Sequence, residues 1–261
     1  MEIVPVESAD EVAALAADTI EAAVRARPDL VLGLATGSTP LLTYRELIRR
    51  HKRGAGPSYE RVRCFTLDEY VGLPPGHPES YRSTIAREVT DPLGIPAGHV
   101  HGPDPSEETL ATAGERYEAQ LRAAGGVDLQ ILGIGSDGHL AFNEPGSSLA
   151  SLTRIKTLAE QTRQDNARFF GSPDEVPRHV LTQGLGTILR ARHLLFLATG
   201  AGKTDALALA LEGPLSASCP ASVLQLHPHA TVLADPPAAA GLVRREHYRE
   251  VFDRKPPWQG L

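Results

Sequence analysis

Asp137, His139 and Glu144 fall within eight residues of one another, in the stretch Gly133-Ile134-Gly135-Ser136-Asp137-Gly138-His139-Leu140-Ala141-Phe142-Asn143-Glu144-Pro145. Two carboxylates beside one imidazole can orient the ring and poise it to give and take a proton. Gly135 and Gly138 flank the first acid and let the backbone take positive φ or approach a ligand closely. One charged residue in a polar loop is ordinarily solvated surface; a glycine-framed trio points to chemistry. A second acidic pair, Asp68-Glu69, follows an apolar run, where acids are costly unless used or solvated. Asp68 is the expected base, and Glu69 the member of the pair expected to face solvent. A third feature is Thr36-Gly37-Ser38-Thr39-Pro40 ahead of helical spacing. It suits either an anion cradle, with backbone N–H groups, hydroxyls and helix dipole converging, or an ordinary Ser/Thr cap. Lys203, in Gly200-Ala201-Gly202-Lys203-Thr204, adds a cation near a helix start. This is no nucleotide P-loop, because the glycine required five residues before the Gly-Lys pair is Leu197.

These groups need strands to carry them. Residues 127–134 form an apolar run of strand length that leads into the acid–histidine loop. Residues 3–6, 30–35, 62–67, 193–198 and 230–234 read as further strands. Helical spacing covers residues 8–27, opened by the capping box Ser8-Ala9-Asp10-Glu11, and 41–50 with Pro40 at the first helical position. It recurs over 80–89, 107–124, 181–190 and 204–211, while 221–226 reads as helical or irregular. Residues 91–106 read as loop, and the chain from Arg244 as a charged tail. Residues 147–177 are polar, lack a clean strand period and contain Arg154, Lys156, Arg163 and Arg168. They suit either a solvated surface or a mobile lid that brings cations to a phosphate. The alternation implies an α/β, single-domain, Rossmann-like open sheet, mostly parallel, with helices on both faces. One domain is expected over residues 1–261, with residues 145–183 its lid region. Ligands of such sheets sit outside the carboxyl ends of the strands, where the three features and Lys203 would meet.

Composition narrows the classes. The chain has 261 residues, 41% apolar and 22% charged, which suits one α/β domain. A net charge of −6 gives no general attraction to nucleic acid or anionic membrane, so positive field for an anionic substrate must be local. Cys64 and Cys219 lack metal-type spacing and read as reduced thiols of a cytoplasmic protein. The acidic N-terminus, with Glu2, Glu7, Asp10 and Glu11, is not a signal peptide, and no apolar run approaches the ~18 residues of a membrane span. His99/His101 and His227/His229 lie among prolines and read as surface or packing residues, so no metal is expected. Gly-x-Ser-x-Gly and a helical His-x-x-x-His are absent, which leaves serine hydrolase and zinc protease without support. A phosphate anchor beside acid–base groups suits enolisation of a sugar phosphate: a carboxylate takes the proton α to an aldehyde and returns it to the neighbouring carbon.

The central motif resembles the signature of glucosamine-6-phosphate deaminases. The resemblance extends through Leu34-Ala35-Thr36-Gly37-Ser38-Thr39-Pro40, then Leu67-Asp68-Glu69-Tyr70-Val71-Gly72-Leu73-Pro74 and His77-Pro78-Glu79-Ser80-Tyr81. It continues in Leu181-Thr182-Gln183-Gly184-Leu185-Gly186-Thr187 and Leu224-Gln225-Leu226-His227-Pro228. Each match is weak alone; their order along nearly the whole chain is specific. The resemblance implies conversion of D-glucosamine 6-phosphate to D-fructose 6-phosphate and ammonia, without a cofactor, in amino-sugar breakdown. By the same resemblance Asp68 moves the proton from C2 to C1. His139 assists ring opening with Asp137 and Glu144 as its relay, and Gly37, Ser38, Thr39, Arg168 and Lys203 hold the phosphate. Ser147, Arg154 and Lys156 match an effector site that takes N-acetylglucosamine 6-phosphate in hexameric members; monomeric relatives also exist. The rivals are a 6-phosphogluconolactonase-like hydrolase, for which Asp68 would be dispensable, and a non-catalytic sugar-phosphate sensor, which could lose the acids.

Overall fold

The computed structural model describes residues 1–256 and 259–261, apart from the side chains of Glu107, Gln161 and Asp165. Its first half runs β1 (Glu2–Pro5), α1 (Ala9–Ala26), β2 (Val31–Leu34), α2 (Ser38–Lys52), β3 (Arg63–Thr66), β4 (Asp68–Tyr70), α3 (Tyr81–Ile85), β5 (Val100–His101) and α4 (Leu110–Ala123). Its second half runs β6 (Leu129–Leu132), β7 (Arg154–Thr157), α5 (Glu160–Asn166), β8 (His179–Thr182), α6 (Leu185–Ile188), β9 (His193–Ala198), α7 (Thr204–Glu212), β10 (Ala230–Ala234) and α8 (Arg245–Asp253).

Seven strands form one parallel sheet in the order β1-β10-β9-β6-β2-β3-β5. β2, β6, β9 and β10 are buried along their whole length, which explains their continuous apolar runs. Val4, Val31, Leu132, Leu195, Phe196 and Val232 are among the side chains sealed in this core. Each large one contributes about 1.5–3 kcal/mol of burial. From β2 the chain first moves outward to β3 and β5, then returns to β6 on the other side and continues to β9 and β10. The sheet order therefore reverses between β2 and β6, where doubly wound sheets open a crevice.

α1 begins as the capping box requires: Ser8 accepts from the Glu11 N–H at 3.1 Å, and Glu11 reaches back to the Glu7 N–H at 2.7 Å. Its buried stripe of Val12, Ala13, Ala16, Ala17, Ile20 and Val24 lets it lie close to α2 and β10.

Several expectations need correction. α2 starts at Ser38 with Gly37 as its cap at φ 114°, so Pro40 is the third helical residue and not the first. Asp68-Glu69-Tyr70, expected just past the preceding strand, lies there but forms a strand of its own, β4 of a separate antiparallel sheet ordered β4-β8-β7. Residues 181–190 are not one helix. β8 closes at Thr182, and the short α6 follows a turn at Gly184, where a Cβ would lie 2.1 Å from the Ser151 carbonyl oxygen. The polar stretch after the acid–histidine loop contains β7 and α5. β7 alternates half-buried Arg154 and Lys156 with exposed Ile155 and Thr157, a period of two written in cations, which an apolar pattern cannot reveal. β5 lies within the expected loop. The charged tail contains α8, which packs against β1, and Lys255 then pairs with Glu2 at 2.6 Å. Trp258, read as part of that tail, lies outside the described residues.

Candidate active site

The four segments singled out by their chemistry emerge from the carboxyl ends of β2, β3, β6 and β9, neighbours in the sheet. The β2 and β9 ends meet directly: the Thr39 and Thr199 hydroxyls are 2.9 Å apart. Gly37 and Gly200 both take positive φ, 114° and 88°, and turn the chain sharply away from the strands. The cap of α2 is Gly37, which offers no side chain, and among the described residues no side-chain cap bond is made there. The leading N–H groups of a helix lack an internal partner, an arrangement suited to an anion. Lys203 ends the one-turn helix Ala201–Lys203 on the facing loop. Thr199 went unremarked in the sequence; its signal was its place at the end of the longest buried strand, directly before Gly200.

β4 brings Asp68 and Glu69 to the same place, and both are buried. The expectation that Glu69 faces solvent fails, because its carboxylate is the anchor of α3. It accepts from the Tyr70, Tyr81 and Arg82 N–H groups at 2.9, 2.9 and 2.8 Å. Among the described residues no hydrogen bond reaches the Asp68 carboxylate. Burial, and then the charge of Glu69, push the Asp68 carboxyl well above the usual carboxylate range. A buried acid raised in this way holds a proton more tightly than a solvated one, which is what a carbon base needs. Tyr81 packs beside Tyr70 and Phe142, and its hydroxyl donates to that of Tyr70 at 3.2 Å.

The acid–histidine loop closes on itself. Asp137 and the Nδ1 of His139 are 2.6 Å apart, and the same oxygen accepts the His139 N–H at 3.1 Å. The hydrogen bond from His139 holds the Asp137 carboxyl below the usual range. Asp137 thus fixes the ring's orientation and leaves Nε2 to the crevice side of the chemistry. Gly135 makes room for that ring: a Cβ there would lie 2.1 Å from it. Gly138 takes φ 84° against Cys219, and Ala141, at φ 50°, is the positive-φ non-glycine among the described residues. The bridge Leu140–Asn143 tightens the turn, and Asn143 is wholly buried. Asn143 donates to the Leu140 and Gln183 carbonyls at 3.0 and 2.8 Å and accepts from Arg154 at 2.9 Å.

Glu144 is placed differently from Asp137. It accepts from the Thr162 hydroxyl at 2.5 Å and the Ala159 N–H at 3.2 Å, so its described bonds go to the start of α5 and not to His139. Arg168 stands exposed, stacked over the neighbouring Phe169 ring at 4.7 Å. Among the described residues no hydrogen bond or ion pair joins it to the Gly37–Thr39 turn. Ser147 is buried with its hydroxyl unpartnered, and Arg154 and Lys156 share the half-buried face of β7. Arg154 and Asp68 both lie opposite Thr182, so the three form one row across the small sheet. The His pairs are packing residues: His229 stacks on His193 at 3.7 Å, His227 bonds the Ala191 carbonyl, and His101 packs on Phe65. Among the described residues no group of three or more His, Cys, Asp or Glu could hold a metal ion.

The family model for glucosamine-6-phosphate isomerases/6-phosphogluconolactonase matches residues 5–233. A curated glucosamine-6-phosphate deaminase from Arthrobacter sp. strain FB24 is 59% identical over 261 residues and all of both chains; that of Mycolicibacterium smegmatis is 54% identical over 262 residues. Among solved structures, a monomeric glucosamine-6-phosphate deaminase superposes with a TM-score of 0.89 at 40% identity, covering 92% of this chain and 100% of that one. The 6-phosphogluconolactonase of Trypanosoma brucei, at 22% identity and TM-score 0.74 over 93% and 98% of the two chains, shares the fold. The chain belongs to the glucosamine-6-phosphate isomerase/6-phosphogluconolactonase family.

Proposed function

We infer that this protein converts D-glucosamine 6-phosphate to D-fructose 6-phosphate and ammonia, the activity for which its full-length curated relatives are named. The observation that carries this reading is Asp68, a buried carboxylate that no hydrogen bond reaches among the described residues, with raised proton affinity, at the strand end beside the anion cradle. A lactonase hydrolyses an ester and need not move a C2 proton, so it does not need a carbon base.

In this reading the Gly37–Thr39 turn and Lys203 hold the phosphate, and Arg168 joins them when residues 145–183 close as a lid. His139, oriented by Asp137, passes a proton between the ring oxygen and the C1 hydroxyl and opens the sugar. Glu144 ties the loop to α5 and so couples it to the lid. With C1 an aldehyde, C2–H is acidic, because the carbanion delocalises onto the carbonyl oxygen. Asp68 takes that proton and returns it to C1. The enolamine becomes a 2-imine, water adds at C2, and ammonia leaves; the balance needs no cofactor. The chain acts as one catalytic domain in the cytoplasm, consistent with two free, buried cysteines and with no helix among the described residues long and apolar enough to cross a membrane. Ser147, Arg154 and Lys156 form a second phosphate site for N-acetylglucosamine 6-phosphate, in a homo-oligomer such as a hexamer. Arg154 would transmit its occupancy to the catalytic loop through Asn143.

One assay tests the reading: ammonia and fructose 6-phosphate measured from glucosamine 6-phosphate, with wild type and Asp68→Asn, each with and without the acetylated sugar phosphate. Equimolar products from wild type and a loss of about 10²–10⁴-fold in D68N are expected. A leftward shift of the saturation curve supports the effector site. A hyperbolic curve from a monomer, unmoved by the effector, removes that site while leaving the deaminase intact. A folded wild type that releases no ammonia overturns the whole reading.

A further inference from the structure

Glu69 is a buried acid beside the proposed base that the reaction scheme leaves without a task. Both of its oxygens are engaged by backbone N–H groups, two of which, from Tyr81 and Arg82, open α3. α3 carries Tyr81, whose hydroxyl meets that of Tyr70 and also the Thr36 side chain at the edge of the anion cradle. One carboxylate thus links the strand that bears the base to the turn that faces the phosphate.

We propose that Glu69 is the positioning residue of the proton-transfer step. Its carboxylate, locked by three backbone N–H groups, stands as a fixed negative charge next to Asp68 and anchors the helix that sets Tyr81 beside the cradle. The proposal rests on Asp68 being the base. Its physics is a division of labour between neighbours. Burial raises both carboxyls, but three donated N–H bonds offset it at Glu69, whereas among the described residues none reaches Asp68, so the pair's proton resides on Asp68. The other ionisable groups around Asp68 are Tyr70 on its own strand, Tyr81 and Arg82 on α3, Tyr117 on α4 and Arg154 on β7. The tyrosines are neutral at working pH, burial and first of all desolvation holding their hydroxyls above the ordinary range. Arg154 is directed to Asn143, and Arg82 meets Glu69 through its backbone N–H.

The test is the pH profile of kcat/KM for wild type, Glu69→Gln and Glu69→Asp, with Asp68→Asn as reference. Loss of the Glu69 charge makes Asp68 easier to ionise and a weaker base. The acid limb of E69Q is expected to fall by about one pH unit, with kcat lower on the plateau. E69D keeps the charge but shortens the reach to α3. Its acid limb is expected to stay with wild type while KM rises, because Tyr81 and the cradle edge loosen. The substrate phosphate titrates identically with every variant and cancels in the comparison. An E69Q limb that does not move, or E69Q and E69D limbs that move alike, would overturn the proposal. Should E69Q not fold, a fallen limb in E69D would overturn it and a retained limb with raised KM would support it. An active D68N would instead remove Asp68 as the base, which distinguishes failure of the function reading from failure of the role given to Glu69.

Discussion

A methyl group at Gly135 would sit 2.1 Å from the His139 ring, so the small residue at that position is a condition of the imidazole's placement. Gly135→Ala is expected to rotate the ring off Asp137 and lower kcat/KM by about 10²-fold, since an ångström of misplacement costs that much. Circular dichroism and Tm should change little, because the clash is with a side chain at the edge of the crevice. The converse holds for Asp68. Its folded carboxyl is raised, so its contribution to stability is full below the unfolded pKa and is lost as pH rises through the folded one. At neutral pH the enzyme carries that cost. Asp68→Asn is therefore expected to raise Tm while it removes activity, by about 2–4 °C for each ~1 kcal/mol released. Asp68, the proposed base, was legible as an acid after an apolar run. The fate of Glu69 was not, because nothing local in Asp-Glu-Tyr says that a helix twelve residues on will begin against that carboxylate.

The parallel sheet was readable from sequence because its strands are buried on both faces: residues 193–198 and 230–234 match β9 and β10 in full. The small sheet escaped because its members have short or polar signals. β4 is three residues of acid and tyrosine, and β7 turns cations to its half-buried face. Yet this sheet sets the row Asp68–Thr182–Arg154 and frames the second core of Tyr70, Phe142, Leu158, Val176 and Val180. Phe170 joins that core from the proposed lid, 5.6 Å from the Tyr70 ring and 6.1 Å from His77. Its aromatic contacts, worth about 0.5–1.5 kcal/mol each, hold the lid near the base. Phe170→Ala is expected to raise KM about tenfold with a smaller change in kcat, and to speed proteolytic cleavage between residues 160 and 175. Equal KM and equal cleavage would mean that this segment does not gate the crevice.

The proposed catalytic groups gather at the carboxyl edge of the sheet, while the opposite edge carries an acid-sensitive feature. There His193 opens β9 buried, with its Nε2 2.9 Å from the Thr231 hydroxyl and its ring stacked on His229. Burial, then the neighbouring histidines His229 and His227, push its pKa down to about 4. A depressed histidine keeps its stability contribution above the unfolded pKa and loses it as pH falls through the folded one. The window is about 6.5 down to about 4, and the loss is on the order of 3 kcal/mol. His193→Gln, which keeps a partner for Thr231, is expected to flatten the fall of urea midpoint across that window. An unchanged slope would place the acid sensitivity elsewhere. Surface or packing was the reading open for His227 and His229 in the sequence; that His229 stacks on His193 required β9 and β10 to lie side by side.

The most direct test of Asp68 as the proton carrier is to follow the hydrogen itself. Glucosamine 6-phosphate deuterated at C2 is turned over in ordinary water, and the fructose 6-phosphate is read by NMR. A sheltered single base should return part of the deuterium to C1, and D68N should yield neither product nor exchange of the C2 label. Full product formation by folded D68N, or loss of the C2 label at the wild-type rate in that variant, would contradict the account.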